Sequence, residues 1–176
     1  MKKISIWIAA ALCLPIGVTL AASEDYRSGD LFRASELSLD LFGTGSVGED
    51  DLDPISGDRL RRDGRLGAGV GLNYFFTRHV GVGAEAYTED TQGHFVDAAS
   101  GNLIVRFPIE SVRLAPYVFG GGGQQFDPAE TCFAQGGAGV EVRVTPNIGF
   151  FADGRYQFIS DSSDAGLGRL GVRFSF

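Results

Sequence analysis

Residues Arg65–Phe76 alternate without a break. Even positions carry Leu66, Ala68, Val70, Leu72, Tyr74 and Phe76, and odd positions carry Arg65, Gly67, Gly69, Gly71, Asn73 and Phe75. A helix does not sort residues at period two, whereas a strand sends successive side chains to opposite faces. The pattern recurs over Val80–Glu89, Gly137–Val144, Ile148–Phe158 and Arg169–Phe176. Shorter alternations cover Glu36–Leu41 and Asn102–Phe107. An eighth strand is expected from Leu114 into Gly120–Gly123, with Tyr117 and Phe119 on the apolar face and Val118 interrupting the polar one. Glycine, at 26 of 176 residues, and 14 phenylalanines fit an all-β chain.

The connections between these strands alternate in length. Thr77–His79, Pro108–Arg113 and Thr145–Asn147 are short, and Pro146 and Asn147 supply turn geometry. Four long polar loops are expected at about Gly43–Gly64, Asp90–Gly101, Gln124–Gln135 and Ile159–Gly166. Gly67-Ala-Gly-Val70 recurs as Gly137-Ala-Gly-Val140, which reads as a repeated hairpin. Together these features predict an all-β fold, an eight-stranded antiparallel up-and-down transmembrane β-barrel.

Charge decides between a soluble and a membrane barrel. The polar face collects Glu36, Asp40, Glu85, Glu89, Glu141 and Asp153 with Arg65, Arg106, Arg143, Arg155, Arg169 and Arg173. The apolar face carries no charge in any of the eight strands. Lipid excludes charge from the outer face, because an Arg or Lys at the midplane costs roughly 2–4 kcal/mol. A lumen of eight strands is just wide enough to be filled by side chains. The inward charges are therefore expected to form one connected network through Glu85, Glu141, Arg143, Asp153 and Arg155. Phe75, Tyr87 and Phe151 would fill the remaining volume.

Residues 1–21 read as a cleaved signal peptide. Lys2 and Lys3 precede an apolar run, and Ala21-Ala22 supplies small residues for cleavage. Residues 22–176 would then be the barrel domain. Removal of Lys2 and Lys3 leaves 13 of the 15 basic residues against 22 acids, a net charge of −9. So acidic an exported chain is a poor binder of nucleic acid. With Cys13 removed, Cys132 has no intramolecular partner, and a buried or loop-shielded thiol is expected.

Chemistry is sparse. His79 is followed by Val80-Gly81 and His94 by Phe95-Val96, so neither forms the His-x-Ser pair of a lipid A deacylase. His94, Asp97 and Ser100 share a loop region, where loop polarity explains them more simply than a triad. Gly67-x-Gly69-x-Gly71 follows one strand face and lacks the spacing of a nucleotide fingerprint. Glu49-Asp50-Asp51-Leu52-Asp53 reads as a solvated acidic loop, with divalent-ion capture as the sharper alternative. Arg59, Arg61 and Arg62 either balance those acids or meet lipid phosphates. No catalytic residue, cofactor or metal site is expected.

Ala115-Pro-Tyr-Val-Phe-Gly-Gly-Gly-Gly123, Gly137-Ala-Gly-Val-Glu-Val-Arg-Val-Thr-Pro-Asn147 and the terminal Arg173-Phe-Ser-Phe176 resemble the small outer-membrane β-barrel family. That family includes the membrane domain of outer-membrane protein A and the opacity-type surface proteins. The resemblance covers residues 22–176. It implies an outer-membrane location of the Gram-negative type, contact with outer-membrane lipids and lipopolysaccharide, periplasmic chaperones in transit, and insertion by the barrel-assembly machinery. Phe176 would be part of the assembly signal. Because the sequence stops at Phe176, no peptidoglycan-binding domain is expected. The expected role is a non-catalytic envelope or surface-interaction protein acting through four long loops. The rivals are a lipid A-modifying barrel enzyme, a narrow pore and a soluble ligand-binding barrel.

Overall fold

The computed structural model describes residues 30–48, 51–52, 59–60, 65–89, 96–126, 130–159 and 165–176. The signal-peptide reading of 1–21, His94, Arg61, Arg62 and most of the acidic stretch 49–53 lie outside them. In chain order the strands are β1 (Glu36–Gly48), β2 (Asp51–Leu52), β3 (Arg59–Leu60), β4 (Arg65–Phe75), β5 (Val80–Thr88), β6 (Ala98–Arg106), β7 (Leu114–Gln125), β8 (Thr131–Thr145), β9 (Ile148–Ile159) and β10 (Ala165–Ser175). β2 and β3 pair only with each other. The other eight close into a barrel in which every neighbour is antiparallel and, apart from the β1–β10 pair, next in order among the eight. β1 and β10 form the closing seam, in register from Ser38↔Ser175 to Gly48↔Ala165.

The alternation explains the two faces. Along β9 burial switches at every residue, with Phe151, Asp153, Arg155 and Gln157 inward and Phe150, Ala152, Tyr156 and Phe158 outward. Outward positions throughout the barrel are apolar and exposed, among them Leu39, Leu72, Val82, Leu103 and Leu170. Exposed apolar surface on this scale needs a nonaqueous neighbour, and lipid supplies it without leaving any backbone group unpaired.

Three expectations are corrected here. On β7 the faces are reversed: Tyr117 and Phe119 point into the lumen and are buried, while Val118 is 48% exposed. Two aromatics outweigh one valine in an apolar count, but interior volume beside glycine-rich β8 is what places them. Second, two of the four loops are short. β7 and β8 run on to Gln125 and from Thr131, leaving only residues 126–130 between them, and β9 and β10 leave only 160–164. The expected strand ends followed the loss of apolar residues, whereas ladder hydrogen bonds continue where the outward side chains turn small. Third, Cys132 is exposed, because it lies on β8 next to inward Phe133 and so faces outward.

Glycine makes room for the interior rings. A Cβ at Gly139 would stand 2.5 Å from the Asp153 Cβ and 2.7 Å from the Tyr117 ring. One at Gly171 would meet Phe42 at 2.7 Å and Phe151 at 2.8 Å. Rings lying across bare backbone recover the packing that glycine forfeits.

A closed sheet has no frayable edge. Unboiled protein is therefore expected to keep its fold in dodecyl sulfate and migrate apart from boiled protein on gels. Equal mobility before and after boiling would count against the closed barrel.

Candidate functional site

The interior charges gather at two levels. The turn-end cluster begins at Glu36, the first inward residue of β1. Just before it, Ser35 takes a left-handed conformation (φ 55°), which folds the preceding residues beneath the barrel. The Arg33 backbone N–H donates to Glu36 Oε2 at 3.2 Å. Phe32 is fully buried there, with the Arg106 and Arg143 guanidinium groups 5.3 and 5.0 Å from its ring centre. Arg106 also lies 3.6 Å from the ring centre of Phe75 and donates to the Arg33 carbonyl at 2.9 Å.

Glu36 Oε1 accepts from Arg106 Nη1 at 2.9 Å and from Arg143 Nη2 at 2.6 Å. Arg143 Nε in turn donates to Glu141. Arg173 joins Glu141 Oε2 at 2.6 Å and grips Asp40 with both Nε and Nη2 at 2.7 Å. Asn73 donates to Asp40 Oδ2 at 2.9 Å. Three carboxylates thus meet three guanidinium groups, and the cluster is neutral. The planar fork of Arg suits such sharing, since it presents five donors in fixed directions.

The second cluster lies nearer the loops. Glu85 is held by both Arg155 and Arg169. Arg169 forks onto Asp153, Nε to Oδ1 at 2.9 Å and Nη2 to Oδ2 at 2.7 Å. The Tyr117 hydroxyl donates to Asp153 Oδ2 at 2.6 Å. Neutral side chains complete the level. Ser100 donates to Glu85 at 2.9 Å, Gln135 donates to Ser100 at 2.9 Å and to Asn102 at 2.8 Å, and Gln157 donates to the Tyr87 hydroxyl at 2.9 Å. Two acids face two arginines, so this cluster is neutral as well.

The single network expected from the sequence is thus divided. Glu141 and Arg143 belong to the turn end, and Glu85, Asp153 and Arg155 to the loop-ward level. Among the described residues no ion pair joins the two. A layer of rings lies between them. Phe42 and Phe151 meet edge to face at 6.4 Å. Arg169 approaches the Phe151 ring from one level at 5.5 Å and Arg173 from the other at 5.2 Å. The division follows from β9 and β8: the inward residue next to Glu141 across the ladder is Phe151, not a charge.

Two of the twelve expected network residues stand apart. Arg65 is exposed at the loop end of β4. Glu89 lies just past β5, where its carboxylate accepts from the Ser46 hydroxyl at 3.2 Å. Burial pushes the Glu89 carboxyl above the usual carboxylate range, opposed by the Ser46 hydrogen bond. Asp97 secures the same corner, accepting from the Glu89 backbone N–H at 2.6 Å and the Thr88 hydroxyl at 3.1 Å. His79 sits in the β4–β5 turn with Nδ1 3.2 Å from the Arg106 carbonyl. Phe176 is exposed beside the seam, its N–H donating to the Leu37 carbonyl at 2.8 Å. Among the described residues no group of three His, Cys, Asp or Glu side chains could hold a metal ion.

Sequence reading passed over Phe32, left Gln135 in a loop and turned Tyr117 outward. Gln157 reads as inward from the alternation of β9, two residues from Arg155, and it is buried there. Phe32 carried no such signal, because it precedes the first strand.

Closed order, lipid-compatible exterior and charge-filled interior define a transmembrane β-barrel of the small eight-stranded kind. Solved structures with this fold include the N-terminal barrel domain of Pseudomonas aeruginosa OprF, at a TM-score of 0.61 and 21% identity over 82% of this chain and 99% of that one. The attachment invasion locus protein Ail of Yersinia pestis matches at a TM-score of 0.54 and 18% identity, covering 81% of this chain and 99% of that one. Neisserial surface protein A matches at a TM-score of 0.54 and 15% identity, over 80% and 96%. No family model and no curated protein sequence matches the chain.

Proposed function

We propose that the protein is a non-catalytic, closed barrel that serves the outer membrane as a structural element and as a support for its loops. The observation that carries this reading is the filled lumen. Two neutral ion-pair clusters, the ring layer of Phe42 and Phe151, and Phe32 at the turn end occupy successive levels of the interior. An ion passing through would have to strip a buried carboxylate of its guanidinium partners, and breaking such a pair costs about 3–5 kcal/mol per partner removed. Loop contact with the surroundings rests on residues 49–64 and 89–97, since the other two loops are short. Contact with lipopolysaccharide and recognition of Phe176 by the assembly machinery belong to the same reading. The fold supports both, and the exposed position of Phe176 supports the second.

Purified protein in planar bilayers is expected to give no stable conductance steps. Reproducible steps in a preparation free of other porins would replace this reading with that of a narrow pore. Unchanged acylation of lipid A with and without the protein is expected as well, and a change would make it an enzyme.

A further inference from the structure

We infer that the β6–β7 turn, residues 107–113, is an interfacial anchor that inserts into the phospholipid leaflet at the turn end of the barrel. The inference rests on the membrane-barrel reading and goes beyond it by assigning one turn to the lipid.

The turn carries apolar side chains on to its tip, where its neighbours carry polar ones. Phe107, Ile109 and Val112 are all exposed, Val112 at 60%. The β4–β5 turn is apolar only at Phe76, 46% exposed, and then presents Thr77, Arg78 and His79, while the β8–β9 turn presents Pro146 and Asn147. The apolar tip is also built rigidly. Ile109 and Leu114 form a β-bridge that extends the hairpin past β6 and β7. A single 3₁₀ turn over Glu110–Val112 follows, and the Arg113 N–H closes it onto the Glu110 carbonyl at 3.1 Å with Arg113 left-handed. Glu110 is tied to Arg78 of the neighbouring turn at 2.7 Å. A rigid tip holding apolar side chains outward has no internal means of covering them.

Continuity names the occupant. Phe107 continues the outward alternation of Leu103 and Val105 on β6. Leu114 begins the outward alternation of Pro116 and Val118 on β7. The tip therefore prolongs the surface that already faces acyl chains, and no polar belt separates the two. Arg113 is exposed beside it, with one guanidinium N–H on the Val144 carbonyl at 3.1 Å. Exposed apolar residues beside an exposed guanidinium match the boundary between acyl chains and phosphate headgroups.

The test uses single-tryptophan chains. Trp7 is the only tryptophan of the sequence, so Val112→Trp is made together with Trp7→Phe and folded into phosphatidylethanolamine–phosphatidylglycerol vesicles. Expected are blue-shifted emission, quenching by brominated acyl chains and loss of iodide quenching. Asn147→Trp, on a polar turn at the same end, should remain open to iodide. Leu103→Trp, on the outward face of β6, should be quenched by brominated lipid. A Val112→Trp as open to iodide as Asn147→Trp, with Leu103→Trp still in lipid, overturns the anchor and leaves the membrane barrel intact. That is also the result if a protein partner is what covers the turn. A Leu103→Trp in water overturns both. Ile109→Trp repeats the measurement if the Val112 variant fails to show the folded gel band.

Discussion

Arg173→Leu is expected to lower the stability of the barrel by about 3–5 kcal/mol, the range for breaking a buried pair from one side. The loss exceeds that of one ordinary contact because Arg173 serves two carboxylates, Asp40 across the closing seam and Glu141 on β8. Leucine fills part of the volume and leaves Asp40 facing only Asn73. Arg173→Lys should recover part of the loss, since an ammonium supplies charge but cannot fork onto both Asp40 oxygens. Arg173→Leu combined with Asp40→Leu should be milder than Arg173→Leu alone, because Glu141 keeps Arg143. Urea titration of vesicle-folded protein, read by the gel shift, provides the measurement. A midpoint for Arg173→Leu equal to that of the parent would mean that the cluster contributes nothing to stability.

Val140→Arg is the second large effect. Val140 is on the outward alternation of β8, and a guanidinium there enters lipid at a cost of roughly 2–4 kcal/mol near the midplane. Folded yield in thick-chain lipid vesicles should fall, and less so in thin ones, where the side chain reaches the interface. Gly139→Ala, one residue along and inward, should also destabilise, by about 1–3 kcal/mol of overpacking. Its cause differs, since the added methyl meets the Tyr117 ring and the Asp153 Cβ, and bilayer thickness should leave it unchanged. Normal folding of Val140→Arg in thick bilayers would reverse the face assignment of β8.

Strand number, order and membrane character were legible in the alternation, because period two and the exclusion of charge from one face are local properties. Ten of the twelve inward charges could be placed from that count, including Asp40, Glu85 and Arg155. What the alternation does not carry is height. Glu141 and Asp153 both read as inward acids on neighbouring strands, yet strand tilt and register set them at different levels with Phe151 between. The reversed faces of β7 have a related cause. Val118 and Phe119 are both apolar, and only the space beside Gly137 decides which of them points inward: a Cβ at that glycine would touch the Phe119 ring at 2.6 Å. Phe32 was out of reach for a third reason, because its burial depends on a left-handed Ser35 rather than on any period.

The seam gives the barrel an all-or-none character in time as well as in space. Glu36 finds Arg106 and Arg143 at sequence separations of 70 and 107 residues, and Asp40 finds Arg173 at 133. No short segment can form these pairs alone, so they arrive late on a path of high contact order. Until β1 meets β10, a growing sheet presents lone guanidinium groups and carboxylates on its concave side, where water must still reach them. Curling shut and shedding that water are then one event, and a half-rolled sheet has no favourable place to rest in the bilayer.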